Sequence, residues 1–145
     1  MKILFVCTGN TCRSPMAEAF AKKEAENRSL DIGAESAGIM TADGLPASEN
    51  AVAALKKEGI DISAFKSSRL TKEKAETSDL ILTMTEEQCL CLRSAFPDKK
   101  VFCLKNSDIS DPYGKSSTEY EKCAEEIKAA VSAVFDKLEN DGKRS

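Results

Sequence analysis

The chain has 145 residues, six cysteines, and neither histidine nor tryptophan, with 21 Lys+Arg against 24 Asp+Glu for a formal charge of −3. A chain of this size buries roughly 68–70% of the surface its unfolded form exposes, so one domain over 1–145 with a core that needs no disulfide or metal staple is expected. The missing histidine excludes Ser-His-Asp and Cys-His nucleophile pairs, His-containing zinc sites and the usual acid/base residue, leaving Cys, Asp, Glu, Lys, Arg or Tyr for any catalysis.

The apolar run Ile3, Leu4, Phe5 and Val6 suits a strand buried on both faces of a parallel sheet, bounded at Gly9-Asn10. A helix follows at once, with Ser14 as N-cap and Pro15 at the first helical position, where the missing N–H costs nothing. It continues to about Asn27. A second strand is expected from Asp31 to Ser36, ending at Ala37-Gly38. The segment Ala47 to Glu58 places Val52, Ala53 and Leu55 on one stripe and ends at Gly59, a helix with a glycine stop. Ser67 to Thr77 reads as a connector holding a short helix begun at Thr71. Leu80 to Met84 is a third strand, Glu86 to Phe96 a helix stopped before Pro97, and Val101 to Leu104 a fourth strand.

Asn106 to Ser117 is the longest loop, dense in Ser, Asp, Pro and Gly. The last helix runs from about Thr118 to Leu138, with Tyr120, Cys123, Ala124, Ile127, Ala130, Val131, Val134 and Leu138 at helical spacing. Strand and helix alternate throughout, so the fold class is α/β, a four-stranded parallel sheet flanked by helices and joined by right-handed crossovers.

The chemistry concentrates at the first strand-to-helix turn, Cys7-Thr8-Gly9-Asn10-Thr11-Cys12-Arg13-Ser14. Backbone N–H groups of a loop feeding a helix N-terminus make a concave anion site, reinforced by the helix dipole. A phosphate suits it. Arg13 at the far end can close on the anion with two parallel charge-assisted hydrogen bonds. The same positive field favours a thiolate at Cys7, a nucleophile that needs no histidine.

These residues, followed by Pro15-Met16-Ala17-Glu18, resemble the signature of the low-molecular-weight protein tyrosine phosphatase family, and Asp111-Pro112-Tyr113-Gly114 resembles its general-acid loop. The α/β order, the length and the Ser36-Ala37-Gly38 element agree, so the resemblance spans nearly the whole chain. It implies that Cys7 forms a cysteinyl-phosphate, that Arg13 binds the transferring phosphoryl group, and that Asp111 protonates the leaving atom and then activates water. Thr8, Gly9, Asn10, Thr11, Cys12, Arg13 and Ser14 form the phosphate-binding loop on this reading. Asn10 holds its unusual backbone, Ser14 hydrogen-bonds the Cys7 thiolate, and neither metal nor cofactor is required. Phosphoryl transfer asks for positioning, charge stabilisation and a proton donor, which this set supplies.

Within the family, Thr11 favours phosphoarginine: tyrosine-specific members resemble one another in a bulkier aliphatic residue there, whereas bacterial protein arginine phosphatases carry the C-T-G-N-T-C-R-S form. A hydroxyl-bearing side chain leaves room and polarity for a planar guanidinium or an attacking water. Gly114 stands where tyrosine-selective relatives often place a second aromatic, and Ile39-Met40-Thr41-Ala42 has none, so Tyr113 alone walls the site. The alternatives are a protein tyrosine phosphatase of the same family and a thioredoxin-coupled arsenate reductase. The latter needs two further redox cysteines near the third strand, and Cys89 and Cys91, one residue apart on a helix, point to different sides.

The other cysteines read as packing: Cys103 in its strand, Cys123 on the last helix's apolar stripe, and Cys89 with Cys91 on their helix. Tyr120 reads as packing near the acid loop. Cys12 is a candidate redox guard that could resolve a Cys7 sulfenic acid as a disulfide. The partner implied is a phosphorylated protein. A pI near 5.2, with no basic block longer than Lys143-Arg144, gives no footprint for nucleic acid or an anionic membrane. The Ile3 to Val6 run is too short for a signal-peptide core or a membrane span. A cytoplasmic monomer is the default.

Overall fold

The computed structural model describes residues 1–144, with side chains to residue 142, so Ser145 and the Lys143 and Arg144 side chains lie outside the described residues. Four parallel strands, β1 (Lys2–Cys7), β2 (Gly33–Gly38), β3 (Leu80–Thr83) and β4 (Val101–Cys103), form one sheet in the order β2-β1-β3-β4. Five helices connect and close it: α1 (Arg13–Asn27), α2 (Glu49–Lys57), α3 (Lys72–Glu76), α4 (Glu86–Ala95) and α5 (Ser117–Arg144). The expected α/β class with a four-stranded parallel sheet is the observed one.

The pleat of β1 divides its apolar run between two layers. Ile3, Phe5 and Cys7 face the larger core, which α1, α2 and α5 supply with Met16, Phe20, Leu55, Ile127 and Phe135. Leu4 and Val6 face the smaller core, built with Ala75 of α3, Cys89 and Leu92 of α4, and Val101 of β4. Every residue from Ile3 to Val6 has no exposed surface, as a continuous apolar strand requires. The stripe on α5 is buried at Tyr120, Cys123, Ala124, Ile127, Ala130 and Val131, with Phe135 completing it.

Several boundaries and placements differ from expectation. Helix α1 begins at Arg13 rather than Pro15, and Cys12, at φ −127° and ψ −82°, precedes it without a side-chain cap. Ser14 is therefore not the N-cap; its hydroxyl is taken by Cys7 and Asn10. Pro15 still lies within the first turn, where its nitrogen has no intrahelical acceptor to lose. Strand β2 starts at Gly33, two residues late, because its pairing begins with Gly33 opposite Lys2. Helix α5 runs past Leu138 to Arg144. Gly59, at φ +77°, ends the α2 segment as expected: the N–H groups of Glu58, Gly59 and Ile60 return to Leu55 and Lys56 carbonyls. Cys103 packs against the smaller core as expected but is only half-buried, since β4 is a three-residue edge strand, whereas Cys91 is exposed rather than packed. Cys89 and Cys123 are buried.

The sheet order sets the place of the site. β1 and β3 are neighbours, and the chain leaves β1 toward β2 but leaves β3 toward β4, in opposite directions, so their carboxyl ends flank a topological switch point, the place where open α/β sheets bind ligands. Cys7 is the last residue of β1.

Candidate active site

The turn after β1 is held from three directions. Asn10 adopts φ +55°, a left-handed conformation that asparagine tolerates better than other residues with a β-carbon, and it is fully buried. Its backbone N–H donates to Cys7 Sγ at 3.2 Å. Its side-chain Nδ2 donates to Ser14 Oγ at 2.8 Å and to Ser36 Oγ at 3.0 Å, while Oδ1 accepts from the Ser68 N–H at 2.8 Å. One side chain thus ties the loop to α1, to β2 and to the connector before α3. Ser36 passes its own proton to Glu18 Oε1 at 2.8 Å, so its oxygen is free to accept from Asn10.

Ser14 Oγ lies 2.8 Å from Cys7 Sγ. With the Asn10 amide occupying a lone pair of that hydroxyl, its proton is available to an ionised sulfur. Two donors, the Asn10 N–H and the Ser14 hydroxyl, therefore converge on Cys7, which is 2% exposed. Helix α1 has no carboxylate in its first turn, so nothing on the helix neutralises the positive end of its dipole beside the sulfur.

Gly38, at the end of β2, is required by close approach. A β-carbon there would stand 2.7 Å from Thr41 Cγ2, 2.9 Å from Asn10 Cβ and 2.9 Å from the Thr8 carbonyl oxygen. The Ile39 and Met40 N–H groups donate to the Cys7 and Thr8 carbonyls at 3.0 and 2.9 Å, so the strand continues into the loop's backbone.

Arg13 is 5% exposed, with Nη1 donating to the Ile109 carbonyl at 2.8 Å and Nη2 lying 3.6 Å from Asp111 Oδ2. The guanidinium joins α1 to the loop before α5 and brings Asp111 beside the Cys7 turn. Asp111 is itself half-exposed and accepts the Tyr113 N–H at 3.1 Å. A cavity of about 200 Å³ results, lined by Cys7 through Arg13 together with Asp111 and Tyr113. Every residue expected at the site lines it except Ser14, which lies beneath it. Tyr113 stands at the rim, largely exposed.

Cys12 faces away from solvent, its sulfur 3.4 Å from Ser48 Oγ and 3.3 Å from the Tyr120 hydroxyl. Tyr120 thus packs under the Cys7–Ser14 loop rather than only near the Asp111 loop. Burial, and then the hydrogen bond to Cys12, push its phenol up to about 12. Ser48 precedes α2 without capping it, since its hydroxyl serves Cys12 while its N–H holds the Thr11 carbonyl at 2.9 Å. Ser36, Ser48, Ser68, the Ile109 carbonyl and Gln88, whose Nε2 donates to Thr8 Oγ1 at 3.1 Å, carry no sequence signal of these contacts, because each joins the site across 26 or more residues.

The sequence profile described as "Low molecular weight phosphotyrosine protein phosphatase" matches residues 2–144. The protein-arginine-phosphatase of Bacillus subtilis (strain 168) is 38% identical over 149 residues, covering 97% of this chain and 99% of that one. A probable low molecular weight protein-tyrosine-phosphatase, EpsP, of Ralstonia nicotianae is 39% identical over 136 residues, covering 90% and 91%. Among solved structures, a YwlE arginine phosphatase, a C7S mutant with a phosphorylated active-site serine, superposes at a TM-score of 0.92 with 36% identity, covering 100% of both chains.

Proposed function

The chain belongs to the low molecular weight phosphotyrosine protein phosphatase family, and from that premise we propose that it hydrolyses phosphoarginine on proteins through a cysteinyl-phosphate on Cys7. The observation that carries the covalent step is the pair of donors aimed at a buried Cys7 sulfur, with Arg13 and Asp111 across the same cavity. The phosphorylated active-site serine of the similar YwlE mutant supports Cys7 as the phosphoryl acceptor.

In the first step the Cys7 thiolate attacks phosphorus, the S–P bond forms and the P–N bond breaks. Asp111, protonated, gives its proton to the leaving guanidine nitrogen. In the second step Asp111, now a carboxylate, takes a proton from water as the water oxygen attacks phosphorus. The S–P bond breaks and inorganic phosphate and the Cys7 thiolate are regenerated. Arg13 and the loop N–H groups carry the charge on the equatorial oxygens throughout.

Thr11 supports arginine over tyrosine. It lines the cavity, its carbonyl is fixed by the Ser48 N–H, and its hydroxyl gives the wall a polarity that suits a guanidinium or a water more than a phenyl ring. Phosphotyrosine is the second reading, favoured by the exposed Tyr113 ring at the rim, which offers a stacking face to a phenol. The arsenate-reductase reading is weaker, because buried Cys89 and exposed Cys91 lie on different sides of α4.

All six cysteines are free thiols, in keeping with a cytoplasmic protein, and among the described residues no helix is long and apolar enough to cross a membrane. Cys12 acts as the redox guard on this reading. Peroxide oxidises the Cys7 thiolate to a sulfenic acid, and the Cys12 thiol, once released from Ser48 and Tyr120, displaces water to form the disulfide.

The test is a paired assay on phosphoarginine and phosphotyrosine peptides with the parent and Thr11→Ile. The parent prefers phosphoarginine and the variant shifts toward phosphotyrosine by about tenfold or more in the ratio of kcat/KM, equivalent to ~1.4 kcal/mol. An unchanged ratio removes Thr11 as the selector.

A further inference from the structure

Gln88, on the first turn of α4, is 7% exposed and belongs to no motif of the phosphate loop. Its amide orientation is fixed by its neighbours. Oε1 accepts from the Met84 N–H at 3.0 Å and the Thr85 N–H at 3.1 Å. Both partners are backbone donors, so the oxygen must face them and the nitrogen must face the opposite way. There Nε2 donates to Thr8 Oγ1 at 3.1 Å.

The consequence falls on Thr8, the residue after Cys7. A threonine hydroxyl has one proton and two acceptor sites. The Gln88 amide fills one acceptor site, and the proton cannot point back at another donor. It is turned away from α4. Thr8 also lines the cavity above Cys7, and its backbone is held by the Met40 N–H on its carbonyl.

We propose that Gln88 is a positioning residue that sets the Thr8 hydroxyl as a donor into the phosphoryl site, where it hydrogen-bonds an oxygen of the bound phosphoryl group. The inference rests on the reading of the Cys7 cavity as that site. A donor oriented before the anion arrives costs no reorganisation when charge develops, and a freely rotating hydroxyl would lack this advantage.

The experiment is a double-mutant cycle of Thr8→Val and Gln88→Glu, read as the competitive inhibition constant of inorganic phosphate against para-nitrophenyl phosphate hydrolysis. Gln88→Glu keeps an oxygen for the Met84 and Thr85 N–H groups but offers Thr8 an acceptor, so the hydroxyl turns inward. Its added charge acts whether or not the Thr8 hydroxyl is present, and the cycle cancels it. Thr8→Val weakens phosphate about tenfold, the scale of a hydrogen bond to a charged group. Gln88→Glu is about tenfold more damaging in the parent than in Thr8→Val. Thr8→Ser, which leaves α4 intact, keeps most of the affinity and serves as the check if Gln88→Glu fails to fold. Additive effects in the cycle, or equal affinities for Thr8→Val and Thr8→Ser, overturn the proposal while the parent's inhibition by phosphate leaves the site standing. A parent that phosphate does not inhibit removes the site and this role together.

Discussion

One wall of the Cys7 cavity is tied down and the other is loose. From Cys7 to Ser14 the loop is fixed by the fully buried Asn10, whose side chain alone makes three hydrogen bonds, and by Gly38, Ser48, Gln88 and Tyr120 from four other segments. Across the cavity Asp111 is half-exposed, accepts one backbone N–H and faces Arg13 at 3.6 Å, while Tyr113 lies mostly in solvent. The contrast suits the proposed chemistry. Charge on a transferring phosphoryl group is stabilised best by donors already in place, so the cradle is rigid at a cost in backbone strain that the core must offset. On the proposed mechanism Asp111 has to meet leaving groups attached to whole proteins, and its half-exposed position gives that access.

Substitutions should therefore separate rate from stability. Asp111→Asn carries the largest expected effect: kcat on phosphoarginine falls by about 10²–10⁴, the range of a general acid, while the unfolding midpoint stays within about 1–2 °C because the side chain is half-exposed. A large loss of stability would show that the acid loop is as built-in as the cradle. Asn10→Ala should damage both properties. It leaves the Ser68 N–H without its acceptor and puts alanine at positive φ, together about 3 kcal/mol of stability and roughly 10 °C in midpoint, with about a hundredfold loss in kcat/KM from misplacement of the loop. An Asn10→Ala protein as stable as the parent would break the comparison from the other side.

The smallest effect concerns Cys123, on α5 behind the acid loop, where its thiol donates to the Ser110 carbonyl at 3.8 Å. Burial pushes this thiol from an ordinary 9.0 up to about 12. The unfolded chain gives up the proton first as pH rises, so this contribution to stability is intact below about pH 9 and is lost progressively toward pH 12. Cys123→Val, of similar volume, should flatten the alkaline fall in midpoint between pH 8.5 and 10.5 by about 6 °C. An unaltered slope would mean that the thiol meets solvent through the loose wall.

Local patterns explain which parts were readable beforehand. The Ile3 to Val6 run, the Gly59 stop and the α5 stripe depend on neighbours within a few residues, and their elements are found where the sequence places them. So does the pairing of Cys7 with Arg13, because a strand, a loop and a helix N-terminus make an anion site from contiguous chain; Asp111 was legible only as a second, distant motif, and Arg13 brings it to the cavity. Ser14 shows the limit. Its hydroxyl suits a helix cap by local rule and a thiolate contact by resemblance, and it cannot serve both; Asn10, reaching it from the loop, decides for Cys7.

Composition without histidine, an apolar first strand and two separated motifs were enough to determine an α/β chain of the low molecular weight phosphatase family and to single out Cys7 as its candidate nucleophile. Tertiary structure alone decided the order β2-β1-β3-β4, which sets Cys7 at the switch point, and the partners that hold the loop: Ser36, Ser48, Ser68, Gln88, Tyr120 and the Ile109 carbonyl. The physical reason is range. Periodicity and turn chemistry act over one or two turns of chain, whereas each of these contacts spans 26 residues or more, and a serine or glutamine that makes one looks, in sequence, like any other polar residue on a surface.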